Sequence, residues 1–228
     1  MNMSRSKNHE LLFFVDLDDT AINSADGFMR IFANEGWMPE GSYPEYSEHW
    51  GNIMGEPPEV VKKRSDYIWQ KQLALDFEPL PGAVEALRRL KHEGLYGREI
   101  TLWGATSRPI TSREVTHSTI DRHFAGIITD CVFAGFYDGP PLEEHYLATK
   151  EALYREYKPD AVFDDQVKHA NGAVFAGVDV PIHFGLHMPI VHEECVSGVL
   201  HASDWAEAEQ RVRDGFRFLE VNRPILLG

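Results

Sequence analysis

Five short apolar runs separated by stretches of helical periodicity constrain this chain more than any other feature. Leu11 to Val15, Ile100 to Ala105, Gly126 to Thr129, Ala161 to Phe163 and Val180 to Phe184 each have the length of one strand. The first is apolar at every position, the pattern of a strand buried on both faces. Helical spacing fills Gly82 to His92, where Val84, Leu87 and Leu90 recur by threes, and then Thr111 to His123, Glu143 to Tyr157 and Val167 to Ala176. Alternation of this kind predicts right-handed βαβ crossovers and a Rossmann-like α/β core, a parallel sheet flanked by helices. Such sheets bind ligands beyond the carboxyl ends of their strands.

One segment breaks the alternation. From Ala25 to Phe77 the spacing predicts no strand but two helices, near Ala25 to Asn34 and Pro58 to Leu75, around a Gly-, Pro-, Tyr- and Trp-rich loop from Trp37 to Pro57. This reads as a small helical cap inserted after the first strand. The expected organisation is a core of residues 11–24 and 78–221, a cap of 25–77 and a flexible tail of 1–10, which suits 228 residues as one domain with an inserted module. Pro81 is expected in the first turn of the next core helix. Ser203 or Asp204 is expected to cap a last helix whose Trp205, Ala208, Val212, Phe216 and Leu219 form a stripe for core packing.

Composition narrows the partners. A formal charge of −14 leaves no basic field for duplex nucleic acid or an anionic membrane, whereas a small metal-complexed anion remains compatible. Cys131 and Cys195, far apart and without CxxC spacing, point to a reducing, cytoplasmic setting. The polar start MNMSRSKNHE and the brevity of the following apolar run predict neither export nor a membrane span.

Chemistry concentrates at strand tips. Asp16-Leu17-Asp18-Asp19-Thr20 follows the first strand, and Asp164-Asp165 follows the fourth, so a parallel sheet sends both acidic tips into one crevice. Carboxylates crowded there repel and raise one another's pKa unless a cation intervenes, and hard oxygen ligands suit Mg²⁺.

In these motifs the chain resembles the haloacid dehalogenase superfamily: DLDDT after a hydrophobic strand, Thr106 in GATSRP after a second, Lys150 upstream, and the DD pair. The resemblance runs from Leu11 to Phe184. It implies phosphoryl transfer through an aspartyl-phosphate, with Asp16 as nucleophile. Asp18 is then the general acid and later base, its pKa raised by nearby negative charge, with its backbone carbonyl toward the metal. Asp16, Asp18 and Asp164 are the implied metal anchors. The Thr106 hydroxyl would hold a phosphoryl oxygen, and Lys150, 14 residues before Asp164, would offset charge on the phosphoryl group and Asp16. Asp165 either ligates through water or orients Lys150, and Ser107 and Arg108 are phosphate neighbours, with Arg108, before Pro109, reading equally as a helix-start residue facing solvent.

A narrower resemblance is to the 5'(3')-deoxyribonucleotidases. Phe77 to Ala86 (FEPLPGAVEA) is similar to their cap-to-core segment, and Leu200 to Trp205 to their ending. It implies a nucleoside monophosphate as substrate, its base stacked on a cap aromatic, for which Trp69 is the main candidate and Trp50 a second; Trp69 reads equally as core packing on a cap helix alongside Val61 and Ile68. The chain departs from that family at Asp19, where Gly is usual, at Asn23 or Ser24 in place of an aromatic, and in DDQ for DDR. Phosphatases of other small esters or of nucleic-acid 3'-phosphate ends, and a non-catalytic binding protein, are the competing readings.

His183, His187, His192 and His201 lie close in sequence but match no zinc spacing, and Cys195 has no evident base partner. Neither is expected to form a site.

Overall fold

A computed structural model describes residues 10–38, 54–135, 149–185 and 194–226, with side chains to residue 221. Six strands form one parallel sheet: β1 (Leu11–Val15), β2 (Ile100–Thr106), β3 (Ile128–Phe133), β4 (Ala161–Asp164), β5 (Val180–Phe184) and β6 (Leu200–Ala202). Their order is β3-β2-β1-β4-β5-β6. The chain winds outward from β1 to one edge, then crosses back to β4 and winds to the other, so the switch point lies between β1 and β4.

Strand β1 sits at the centre because every side chain on it is apolar. Its residues divide between two packed layers. Leu11, Phe13 and Val15 join one core with α3 (Ala83–Glu93) and α7 (Trp205–Leu226), where Phe13 stacks on Phe216 at 5.5 Å between ring centres. Phe14 faces the other way, into α5 (Lys150–Tyr157) and α6 (Val167–Ala176), against Trp103 and Tyr154. Burying each large apolar side chain contributes roughly 1.5–3 kcal/mol, so a charge on either face of β1 would cost the fold a large part of its margin.

Between β1 and α3 the described elements are helical: α1 (Ser24–Asn34), α2 (Pro58–Gln70) and a 3₁₀ turn, Leu73–Asp76. The second helix stops short of the expected Leu75 because Gln72 turns into the left-handed region, φ 55°. Phe77 then returns to the core beneath α1, its ring lying where a Cβ on Gly27 would stand. Much of the expected loop, Trp50 included, lies outside the described residues, as do the first nine residues and the start of the helix expected from Glu143.

Three expectations are corrected. Strand β3 runs to Phe133 rather than ending at Thr129, because Thr129 and Asp130 are exposed on an edge strand where polar side chains cost little. Strand β6 went unforeseen, since three residues carry no periodicity. Pro81 precedes the helix instead of entering it: Gly82, at φ 81°, is the N-cap of α3, and a Cβ there would meet Trp205 at 3.5 Å. The remaining helix, α4 (Arg113–Phe124), follows a 3₁₀ turn at Ile110–Ser112. At the C-terminal side, Asp204 is the cap of α7, accepting from the Glu207 amide at 2.8 Å, while Glu207 reaches back to the Ser203 amide and hydroxyl.

Candidate active site

Register brings the acidic tips together. Val15 pairs with Phe163 across β1 and β4, and the Asp16 amide donates to the Phe163 carbonyl at 2.9 Å, so the residues that follow emerge side by side at the switch point. Carboxylate oxygens of Asp16, Asp164 and Asp165 lie within 4.8 Å of one another, all buried. Lys150 joins them from the start of α5. Its buried Nζ is 2.7 Å from Asp16 Oδ1 and 2.7 Å from Asp164 Oδ2.

Three carboxylates against one ammonium leave the cluster short of positive charge. Burial and then Asp164 and Asp18 push the Asp16 carboxyl up to about 7 against the pull of Lys150. Asp165 goes well above the ordinary carboxylate range, by burial and by the charges of Asp16 and Asp164. Burial would raise Asp164 too, but Lys150 and His169 hold it well below. Donors saturate Asp164: Lys150 Nζ and Tyr154 Oη (3.3 Å) on one oxygen, the Gln166 amide (3.0 Å) and His169 Nδ1 (3.1 Å) on the other. Asp165 Oδ1, by contrast, is buried with no hydrogen-bond partner. An orphaned carboxylate oxygen beside two further carboxylates is the donor set of a hard divalent cation.

The carboxylate of Asp18 turns elsewhere. The guanidinium of Arg108 grips it, Nε to Oδ2 at 2.8 Å and Nη2 to Oδ1 at 2.7 Å, and Ser24 donates to it as well. This corrects the expected direction of its pKa. Burial raises it, yet the charge and hydrogen bonds of Arg108 more than offset burial and hold Asp18 below the ordinary carboxylate range. Arg108 is itself buried, and its guanidinium lies 5.3 Å from the ring centre of Trp69.

Trp69 therefore belongs to both sides. Only 5% exposed, it packs T-shaped with Phe28 of α1 at 5.9 Å between ring centres, its indole N–H donates to Ser65, and the cation that holds Asp18 lies over its ring. Thr106 ends β2 fully buried, its hydroxyl accepting the Arg108 amide at 3.1 Å. Ser107 lines a cavity of about 230 Å³ with Thr149, Lys150, Glu151, Gln166, Lys168 and His169, beside the Lys150 ammonium that Asp16 and Asp164 hold.

Sequence reasoning missed two participants, Tyr154 and His169, and the partner of a third. Tyr154 stands four residues after Lys150 on α5, a spacing that puts both on one helical face. His169, in the first turn of α6, was detectable only as a histidine close behind the DD pair. Arg108 was foreseen as a phosphate neighbour, but nothing in its local sequence indicates that it pairs with Asp18 across 90 positions.

The family model for "5' nucleotidase, deoxy (Pyrimidine), cytosolic type C protein" matches residues 10–135, more than half of the chain. The chain belongs to that family. It is a phosphoric monoester hydrolase with the haloacid dehalogenase fold. The match takes in Asp16, Asp18, Thr106, Arg108 and Trp69 and stops before Lys150. Solved structures agree in fold. A haloacid dehalogenase-like family hydrolase from Streptococcus pneumoniae aligns at TM-score 0.59 and 11% identity, over 89% of this chain and 98% of that one. A predicted phosphatase from Clostridium acetobutylicum aligns at TM-score 0.59 and 17% identity, over 90% and 99%. CbbY from Rhodobacter sphaeroides, in complex with phosphate, aligns at TM-score 0.52 and 16% identity, over 87% and 96%. Comparison with curated proteins gives no match. Among the described residues no helix is long and apolar enough to cross a membrane.

Proposed function

We propose that this nucleotidase-family chain is a Mg²⁺-dependent 5'-nucleotidase acting on (deoxy)nucleoside monophosphates through an aspartyl-phosphate on Asp16. One observation carries the reading: Lys150 bridges Asp16 and Asp164 at 2.7 Å each, beside the partnerless oxygen of Asp165. Asp16, Asp164 and Asp165, with the Asp18 backbone carbonyl, would hold Mg²⁺. The orphaned oxygen speaks for direct ligation by Asp165 rather than a role through Lys150. Bound there, the ion supplies charge that keeps Asp16 ionised and neutralises phosphoryl oxygens.

A carboxylate oxygen of Asp16 attacks phosphorus as the bond from phosphorus to the ester oxygen breaks, and Asp18 gives its proton to the departing oxygen. Lys150 offsets charge on the transferred group. The Thr106 hydroxyl and the Ser107 amide orient the phosphoryl oxygens, and Asp18 then takes a proton from the water that hydrolyses the aspartyl-phosphate. Arg108 bears directly on this cycle. While it grips Asp18 the acid stays ionised, so an arriving phosphate dianion, competing for the guanidinium, frees Asp18 to carry a proton. The helices α1 and α2 belong to the cap, and Trp69, buried with Arg108 over one ring face, would offer that face to a base only once Arg108 turns to the phosphate. Two free cysteines fit a cytoplasmic setting.

With Mg²⁺, the purified chain releases phosphate from deoxynucleoside monophosphates, and Asp16→Asn abolishes turnover, expected at 10³-fold or more on the order of other lost nucleophiles. Turnover by Asp16→Asn would remove the mechanism. Faster release from a 3'-phosphorylated oligonucleotide than from a mononucleotide would replace the substrate class, a result that the charge of −14 disfavours.

A further inference from the structure

The far edge of the sheet holds a second group of ligating side chains, different in chemistry from the acidic cluster and adjoining it through the Asp165 backbone. His183 of β5 and His201 of β6 are register partners in this parallel pair. Their Nδ1 atoms stand 3.3 Å apart, and a ring nitrogen of each lies within 4.8 Å of Cys195 Sγ. We propose that His183 Nδ1, His201 Nδ1 and Cys195 Sγ form a binding site for a zinc-class divalent ion, with water in the fourth position.

Geometry supports this first. A tetrahedral zinc site with nitrogens at about 2.0–2.1 Å sets two imidazole nitrogens about 3.3–3.4 Å apart, the separation found here. A hydrogen bond between the two rings would account for that distance alone, but it leaves the thiol within 4.8 Å of both rings unexplained.

Each ligand is also held from behind. His183 Nε2 is 2.9 Å from the Asp165 carbonyl oxygen, which only accepts; the ring proton therefore sits on Nε2, and the Nδ1 lone pair faces His201 and Cys195. A backbone carbonyl that fixes the tautomer of a ligating histidine is the usual supporting contact of a metal site. Asn171 of α6 clasps the backbone on both sides of the cysteine, donating to the Glu194 carbonyl at 3.1 Å and accepting from the Val196 amide at 2.9 Å. Arg211 Nε donates to the His201 carbonyl at 3.0 Å.

The donor set selects the ion. Two imidazoles and a thiolate suit zinc and reject Mg²⁺, which the all-oxygen cluster suits. Binding replaces the thiol proton of Cys195 by a bond from sulfur to the metal and releases that proton to solvent. The bound ion would fasten the segment around Cys195 to β6, a strand of three residues at the sheet edge. Sequence spacing hides the site, because its ligands come from two strands and a loop.

Cobalt(II) is the probe. The full chain, stripped by chelator, reduced, and held in excess Mg²⁺ to occupy oxygen sites, is titrated with Co²⁺ alone. Expected are a thiolate-to-cobalt charge-transfer band in the near ultraviolet and the intense visible bands of four-coordinate cobalt. Both should saturate at one ion per chain and be bleached by Zn²⁺. Cys195→Ser removes the charge-transfer band, and His201→Ala removes saturation at one equivalent, each with an unchanged far-ultraviolet circular dichroism spectrum. Absence of the charge-transfer band from the unmodified chain, or its survival in Cys195→Ser, overturns the proposal. The readout is independent of phosphate release, so its failure and that of the nucleotidase reading are separable.

Discussion

Asp19 sits in the left-handed region, φ 57°, at the position where related nucleotidases usually carry Gly. Only a residue that tolerates this backbone can turn the chain from β1 toward α1, and an aspartate does so by bonding locally: its Oδ1 accepts the Ala25 amide at 2.7 Å. Asn keeps both properties, so Asp19→Asn is expected to leave stability within about 0.5 kcal/mol. Asp19→Val loses both and should cost about 1–3 kcal/mol in urea unfolding. A valine variant as stable as the original would show that this turn is not held as described. The neighbouring departures have similar local reasons. Asn23 accepts from the Asp26 amide to cap α1, and Ser24 donates to Asp18, so these positions serve the turn and the acid. Residues whose place is set by a strand tip, such as Asp16, Thr106 and Asp164, were legible in the sequence because a parallel sheet gathers its tips. Residues that meet by packing between distant elements were not. Arg108 on Asp18 is one case, and the trio His183, Cys195 and His201 is the other.

At the scale of elements, hydrophobic periodicity located the helices and the central strands. It failed at the edges, where β3 carries polar residues and β6 is too short to show a pattern. The pairing of α3 with α7 rests on an ionic clasp that no periodicity reveals. Glu209 Oε2 accepts from Arg89 at 2.6 and 2.9 Å, Oε1 accepts from Arg213 at 2.7 and 3.2 Å, and Arg213 also reaches Glu93 at 2.7 Å. Burial raises the Glu209 carboxyl, but the hydrogen bonds and charges of the two arginines more than offset it and hold the group below its ordinary range. A carboxyl depressed in the folded state contributes stability above its unfolded pKa, near 4.3, and loses that contribution as pH falls through the folded value. Glu209→Gln should therefore be less stable than the original by about 1 kcal/mol at pH 7, a figure already reduced for solvent screening, and the difference should shrink toward pH 4. Urea midpoints at the two pH values measure it. A difference that does not vary with pH would mean that the clasp acts through packing alone.

Across the whole molecule, stability and the proposed chemistry compete at the switch point. The fold converges Asp16, Asp164 and Asp165 in a buried crevice with one ammonium among them, and leaves an oxygen of Asp165 without a donor. Such an arrangement is costly in the absence of a cation, since an unpaired buried carboxylate carries its desolvation uncompensated. The surrounding structure sustains that cost: β1 is enclosed by aromatic packing on both faces, and Trp205 of α7 ties the loop after Asp16 to the core by donating its indole N–H to the Thr20 carbonyl at 2.8 Å. Relieving this tension should stabilise the metal-free chain and impair the site together. Asp165→Asn, close to isosteric, is expected to raise the metal-free melting temperature, corresponding to about 1–3 kcal/mol. Millimolar Mg²⁺ should raise the melting temperature of the original chain, because binding to the folded state alone adds stability by mass action, and should raise that of the variant much less. A variant that melts lower than the original without metal, or that gains as much from Mg²⁺, would place the missing charge somewhere other than Asp165.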